Sequence, residues 1–578
     1  MPSSQDLFNP RRFARRLTRS LIFIAAAFCV LMFGYAVLVH YAMSFRDLGY
    51  DTDAWFILAA GDYITHNGIP YENPWALVDG LHIVVQQWLH DCIIWLLYSE
   101  NGFSGIRWFQ VAMFAAVGAS LFAACRRLSK KTGAAALLAA VGVSIAGVYI
   151  SARPTSWTML SLIATVAICC SYREDPKAYK LALLLAVQVV AANMQISMAP
   201  IVFLSAAAFL VPSASVIARP VAFAGRYAAE PERDARAIAI RFIRVELKGH
   251  LRSVWPLAVA VALCVGAMLA NPYGVDGALY LLRGVGQASY GSYISELQPG
   301  WADSTLVSGA FYAALFFSPL VLTALLWRRR ALAALADDAA LIPLSILWVA
   351  GQIGYALAIR NIWIAALTSA LLAARLVSHM PSVKPDRPRV VDALDKLPAC
   401  IPIAVCLIAF IAAPVAASRV SAAYGPDMGG MFANVDSPAQ GRPTQAMTER
   451  FEDVQSQYGP LVSACISWRK IEGRDPAIYM ENPVAYSYLE FRGLKVPFDM
   501  RPEIWGAAIA GEKSTEPYKA WVDAKKSNDM NAYIADGGWD FLIVSPNEAE
   551  EMCELVGGRV VVETASASLV SCPPAGVR

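Results

Sequence analysis

Asp51 and Asp53 stand one residue apart near the start of the chain. Carboxylates at that spacing serve in one of two ways. One of them accepts a proton from an attacking hydroxyl, as general base. Or the pair holds a divalent cation, magnesium or manganese, which neutralises a phosphate leaving group. Such a pair arises often by chance, and Asp53 also reads as the N-cap of the helix that follows it. Other polar groups sit at the ends of apolar runs: Arg153, Asn193 with Gln195, Asn271-Pro272, Glu296, and Arg360 with Asn361. Arginine is always charged and forks onto fixed anions, so Arg153 and Arg360 are candidate phosphate holders. Their ordinary alternative is an anchor that snorkels to the membrane interface. Asn271-Pro272 reads more readily as a helix stop than as a ligand.

The elements that must carry these residues are mostly apolar. The chain has 578 residues, 57% hydrophobic and 16% charged, with a net charge of +3. Ordinary soluble domains are about 25% charged. The composition excludes a disordered chain or a typical cytosolic enzyme, and the charge is too small to suggest a nucleic-acid partner. About eleven runs are long enough to be membrane helices by the usual length criterion. They lie near 20–43, 106–125, 133–151, 156–172, 181–196, 198–216, 254–271, 305–327, 339–359, 362–378 and 399–418. Clusters of Lys and Arg precede the first run and follow the second, fourth, sixth, eighth and tenth, all on one side. By the positive-inside rule that side is cytoplasmic, so the N-terminus is inside and the C-terminus outside.

The expected fold is therefore an α-helical multi-pass membrane domain over 1–418 and an extracytoplasmic α/β domain over 419–578. The second begins with a Gly-rich linker at 424–442 and carries a helix near 447–458 and strands near 477–480 and 541–545. Cys465, Cys553 and Cys572 lie there, and Cys553–Cys572 is the disulfide expected if one forms. The first outside loop, 44–105, is too long for a simple connection and is rich in Trp and Tyr. It reads as a helix over 54–64, a turn at Gly68-Ile69-Pro70, and an amphipathic helix over 86–99 suited to the membrane surface. Acids, an arginine and amides from distant runs thus return to one face beside one ordered loop.

Here the residues resemble a family. A basic N-terminus, one span, a D-x-D-like motif in a long first outside loop, many further spans and a C-terminal extracytoplasmic domain look like the GT-C class of membrane glycosyltransferases. The run from Asp51-Thr52-Asp53 through Trp55-Phe56, Gly68-Ile69-Pro70, Asn73-Pro74-Trp75 and Gln87-Trp88-Leu89 resembles the start of a bacterial group of GT-C-like multi-pass proteins. Arg153-Pro154, Asn271-Pro272-Tyr273-Gly274, Ile294-Ser295-Glu296, Arg360 and the D-x-R segment Asp499-Met500-Arg501 are further matches. Ile57 stands where many members have histidine.

The resemblance implies transfer of a sugar from a polyprenyl-phosphate donor to a cell-envelope glycan, lipid or protein acceptor, at a bacterial plasma membrane. It implies Asp51 or Asp53 as the catalytic carboxylate. Arg153, Arg360, Asn361, Asn193, Glu296, Gln87 and His90 are then the candidates to hold donor or substrate. Trp468, Tyr488, Trp505 and Trp521 either suit the faces of an acceptor glycan or pack a core. No nucleotide-binding glycine fingerprint is present. Two other classes remain open on sequence: a flippase of lipid-linked sugars, whose site belongs near mid-membrane, and a non-catalytic scaffold for envelope assembly.

Overall fold

A computed structural model of the chain describes residues 52–216, 219–221, 235–285, 319–323, 335–380 and 449–573. Asp51, Glu296, the runs 20–43 and 399–418, most of 305–327 and the linker 424–442 lie outside the described residues.

The first described helix, α1 (Thr52–Asn67), starts earlier than its apolar pattern, so Asp53 sits inside the first turn rather than at the N-cap. A carboxylate there still faces the positive end of the helix dipole. Next comes α2 (Trp88–Asn101), which packs on α1. One face of it is buried against the protein and the other is exposed. The buried residues are His90, Asp91 and Ile94, while Leu96 is exposed. Polar atoms face inward because neighbouring groups bond most of them, as described below. Gly61 permits the approach of the two helices: a Cβ there would run into the Asp91 carbonyl and Trp95.

The apolar bundle follows as α3 (Phe103–Ser129), α4 (Thr132–Ala146), α5 (Thr155–Glu174), α6 (Ala178–Met194), α7 (Pro200–Ala208), α8 (Ala235–Ala267), α9 (Tyr280–Val285), α10 (Leu341–Leu357) and α11 (Ile362–Ser378). Among the described residues, four helical stretches are long and apolar enough to cross a membrane: Phe103–Ser129, Thr155–Glu174, Ile240–Ala267 and Ile359–Ser378. The run 198–216 is not one spanning helix. Its helix has 9 residues, about 14 Å at 1.5 Å per residue. Small residues let α4, α3 and α11 pack closely; a Cβ on Gly142 would press on Leu121 and Ala370.

Polar groups sort to the two ends of the bundle. At one end Arg375 forks onto both oxygens of Asp338 at 2.7 and 3.0 Å and reaches Glu174 at 3.3 Å. Arg127 meets the same Glu174 at 3.1 Å, and His379 meets Asp338 at 2.7 Å. Arg153 precedes α5 and Glu174 ends it, so the 20 residues between separate them by about 30 Å. The end that carries Arg153 is where the remaining candidate residues gather.

The C-terminal residues add α12 (Glu449–Glu472) and a four-stranded sheet in the order β1-β2-β4-β3. The strands are β1 (Ile478–Met480), β2 (Phe541–Val544), β3 (Arg559–Glu563) and β4 (Ser568–Ser571). β1 runs parallel to β2, and β4 pairs antiparallel with both β2 and β3. β1 and β2 are buried throughout, which is why they read as unbroken apolar runs. Between β1 and β2 lie α13 (Tyr486–Phe491) and the short α14 (Pro502–Trp505). None of Cys465, Cys553 and Cys572 is disulfide-bonded. The expected Cys553–Cys572 disulfide is therefore absent; both side chains pack against the apolar cluster beneath the sheet instead.

Candidate active site

Three parts of the chain build the site. The first is α1, buried from Ala54 to Ala60 between α2 and α13. Trp55 meets Tyr488 edge-on at 4.9 Å and lies 5.1 Å from Phe491, and Phe56 meets Trp75 at 5.2 Å. The second is the segment between α1 and α2. It docks on the C-terminal residues through Val496 N–H to Trp75 O (2.7 Å), Leu77 N–H to Val496 O (3.1 Å) and His82 N–H to Ala510 O (3.0 Å). The third is the D-x-R segment, Asp499 to Arg501, lying over α1.

At the rim, Asp53 Oδ2 and Arg153 Nε are 3.1 Å apart, with side chains 34% and 29% exposed. Beneath them the site is dry and acidic. The Arg501 guanidinium lies over the Phe56 ring, 3.0 Å from its centre. It pairs with Asp499 and, at 3.3 Å, with Glu490. Asp499 is held in turn by the Trp505 indole N–H at 2.9 Å and the Arg501 amide at 2.8 Å. Glu503 accepts from the Tyr280 hydroxyl at 3.2 Å. Asp91 Oδ1 accepts from Gln87 Nε2 at 3.0 Å, and its Oδ2 is buried without a hydrogen-bond partner among the described residues.

Burial sets the protonation of this layer. It pushes Glu490 up to about 7, against the pull of Arg501. It also raises Glu503 and lifts Asp91 well above the usual carboxylate range, in both cases with the Asp53 charge adding to the rise and Arg501 opposing it. Arg501 is lowered by its own burial, while Glu490, Asp53 and Glu503 hold its proton on. The site thus pairs a solvent-touching carboxylate and guanidinium with an inner layer whose acids are inclined to stay neutral.

Several expected ligands have other employment. Asn193 spends its whole amide on neighbours: its Oδ1 accepts from Trp88 Nε1 at 3.1 Å, and its Nδ2 donates to Val189 O and Ala270 O at 2.8 and 2.7 Å. It braces α2, α6 and the end of α8. Gln87 supports Asp91. His90 is fully buried with both ring nitrogens engaged, to Ala152 O at 2.5 Å and to Trp157 Nε1 at 3.3 Å. Asn361 Nδ2 donates to Gly354 O at 3.0 Å, and Arg360 is exposed. Among the described residues no hydrogen bond or ion pair joins either to the Asp53–Arg153 pair. Asn271 does form a turn: its Oδ1 accepts from Tyr273 N–H at 2.8 Å. Tyr273 and Tyr71 then cross-bond to Pro70 O and Pro272 O at 3.1 and 3.2 Å, clasping the first loop to the end of α8.

The aromatics proposed to face sugars are mostly core. Tyr488, Trp505 and Trp521 are buried, and Trp468 is half-buried under Arg474. Asp91, Glu490, Glu503 and Tyr280 had no place among the expected site residues. Asp91 had a signal, four residues after Gln87 on one helix face. Among the described residues no three His, Cys, Asp or Glu side chains gather as a metal site.

No family model matches the sequence, and no curated protein matches it. Among solved structures, the chain aligns with an oligosaccharyltransferase from Archaeoglobus fulgidus tethered to an acceptor peptide. The TM-score is 0.42 at 13% identity, over 90% of this chain and 69% of that one. It also aligns with ArnT from Cupriavidus metallidurans bound to undecaprenyl phosphate, with a TM-score of 0.42 at 11% identity, over 94% of this chain and 99% of that one. A second Archaeoglobus fulgidus structure, AglB with an inhibitory peptide and a dolichol-phosphate, aligns with a TM-score of 0.41 at 12% identity, over 90% of this chain and 70% of that one.

Proposed function

We propose that this chain is a multi-pass membrane glycosyltransferase of the GT-C type. It moves a sugar from a polyprenyl-phosphate carrier to a hydroxyl of a cell-envelope glycan, lipid or protein, on the extracytoplasmic face of a bacterial plasma membrane. In this reading the N-terminus is cytoplasmic, about eleven spans precede the linker, and residues 419–578 lie outside. The observation that carries the reading is the Asp53–Arg153 pair. A carboxylate and a guanidinium touch at the rim, beside a first loop of the kind the GT-C resemblance implies.

The chemistry follows from that pair. The donor phosphate competes with Asp53 for the Arg153 fork, because phosphate offers the same bidentate geometry with more charge. Asp53, released, takes the proton from the acceptor hydroxyl as its oxygen attacks the anomeric carbon. The bond from that carbon to the phosphate oxygen breaks, and Arg153 stabilises the negative charge on the departing polyprenyl phosphate. Arg501 fixes α1 from below and supplies positive potential where Asp53 sits.

Undecaprenyl phosphate is the probe. The purified full-length protein should bind it, Arg153→Lys should weaken binding by about 1–3 kcal/mol through the lost fork, and Arg360→Lys should bind like the parent. In a deletion strain, Asp53→Asn at matched expression should fail to restore the missing envelope glycan, a loss of about 100-fold to 10,000-fold in rate. Full restoration by Asp53→Asn, or a parent that does not bind the lipid, refutes the proposal.

A further inference from the structure

His90 lies inside the protein, one residue before Asp91 on α2, and its exposure is 0%. Its two ring nitrogens have different jobs. The Trp157 indole N–H can only donate, so Nδ1, 3.3 Å away, must accept. Nε2 therefore carries the ring proton and donates to the Ala152 carbonyl at 2.5 Å. One tautomer of a neutral imidazole satisfies both contacts, and a protonated ring would set two N–H groups against each other. Burial agrees, lowering this histidine to about 4.

What His90 grips is informative. Ala152 is the residue before Arg153, in the short connection between α4 and α5. Trp157 lies in the first turn of α5, whose first backbone bond there, Trp157 N–H to Pro154 O, spans 2.9 Å. The imidazole thus bonds the chain on both sides of Arg153, one residue before it and four after it. Phe109 of α3 closes the ring's side at 5.6 Å. Within residues 152–157 the only charged group is Arg153, whose Nε meets Asp53.

We infer that His90 is a positioning residue: by bracketing 152–157 it sets where the Arg153 guanidinium stands relative to Asp53. It reaches neither donor nor acceptor, being enclosed by protein, and its effect passes through Arg153. The inference rests on the proposed reading for its functional consequence but not for its structural one. A 1 Å misplacement of such a group costs on the order of 100-fold in rate.

Three substitutions separate positioning from simple packing. His90→Gln keeps a donor at the Nε2 position and an acceptor towards Trp157. His90→Asn is too short to reach Ala152 but still meets Trp157. His90→Phe keeps the ring and loses both bonds. Structures of the full-length variants should show Arg153 Nε within ion-pair distance of Asp53 in the parent and His90→Gln, and displaced in His90→Asn and His90→Phe. Undecaprenyl phosphate affinity should fall about 10-fold or more in the last two, with His90→Gln close to the parent. In the double variant with Arg153→Lys the losses should not add. If His90→Phe does not fold, His90→Asn decides. An Asp53–Arg153 pair left in place in His90→Asn overturns the inference, as do fully additive losses. A parent that does not bind the lipid refutes the glycosyltransferase reading, while the Arg153 position still judges the role of His90.

Discussion

Replacing Glu490 with Gln should flatten the pH dependence of stability between about pH 5 and pH 8. Glu490 is buried under Arg501, and burial moves it from 4.5 to about 7 even with that arginine 3.3 Å away. In the unfolded chain the same carboxyl ionises near its ordinary value. Between those two points the folded protein holds a proton that the unfolded chain releases. The contribution to stability is therefore full below 4.5 and is lost as pH rises through 7. At about 1.4 kcal/mol per pH unit, the loss is about 3 kcal/mol. Gln has the volume of Glu and no charge to bury, so it escapes that loss. Thermal unfolding of the detergent-solubilised parent and Glu490→Gln, followed from pH 5 to 8, measures the difference. The two should nearly coincide at pH 5, and the variant should lead progressively above pH 6. The opposite slope, with the variant falling behind as pH rises, would mean that the Arg501 ion pair outweighs the desolvation of Glu490. Parallel profiles would mean that Glu490 titrates normally. Either result refutes the picture of a neutral inner layer.

Gly61→Ala should destabilise the protein by about 1–3 kcal/mol, the usual cost of overpacking, because the new methyl meets a backbone carbonyl that cannot rotate away. Thermal unfolding at pH 7 reads this, and an unchanged midpoint would show that α1 and α2 slide freely. Gly249 on α8, ahead of the apolar run 254–271, has open space where a Cβ would be. Gly249→Cys in a cysteine-depleted background should stay unlabelled by an impermeant thiol reagent in intact cells and be labelled in inverted vesicles; labelling in intact cells would reverse the proposed orientation.

The helices are legible in the sequence where apolarity and helical continuity coincide. The runs 106–125, 156–172, 339–359 and 362–378 fall within helices or match them within a few residues. Run 198–216 is as apolar as these, yet its helix stops at Ala208. Apolarity governs where a segment partitions, not whether its backbone stays helical. Polar site residues are harder to read for a related reason. Asn193 at a span end looks the same in sequence whether its amide waits for a ligand or is spent on Trp88 and Ala270. Tyr488, Trp505 and Trp521 look like sugar platforms in a segment expected to face solvent, but large rings also contribute most to a small core, and here they do. The carboxylates of the inner layer are invisible because Glu490 and Glu503 come from the far end of the chain and acquire their character only on burial.

That last point bears on how the site is built. Asp53 lies in the first turn of a helix, where a lone carboxylate would be solvated and mobile. Its helix is fixed because Trp55 and Phe56 are packed by Tyr488, Phe491 and the Arg501 guanidinium, all from the C-terminal residues. Arg501 is dry, so its charge acts at short range through protein rather than water. Burial raises Glu490, Glu503 and Asp91 towards the neutral form, which limits the negative charge set against Arg501 beyond its Asp499 partner. If Glu490, Glu503 and Asp91 were all ionised, they and Asp499 would outnumber Arg501 and the potential around it would turn negative. Burial of the inner acids thus limits the negative charge around Arg501, a condition that the phosphate-binding role proposed for Arg153 requires. On the proposed reading the C-terminal residues contribute to the electrostatics of the candidate site as well as to its packing.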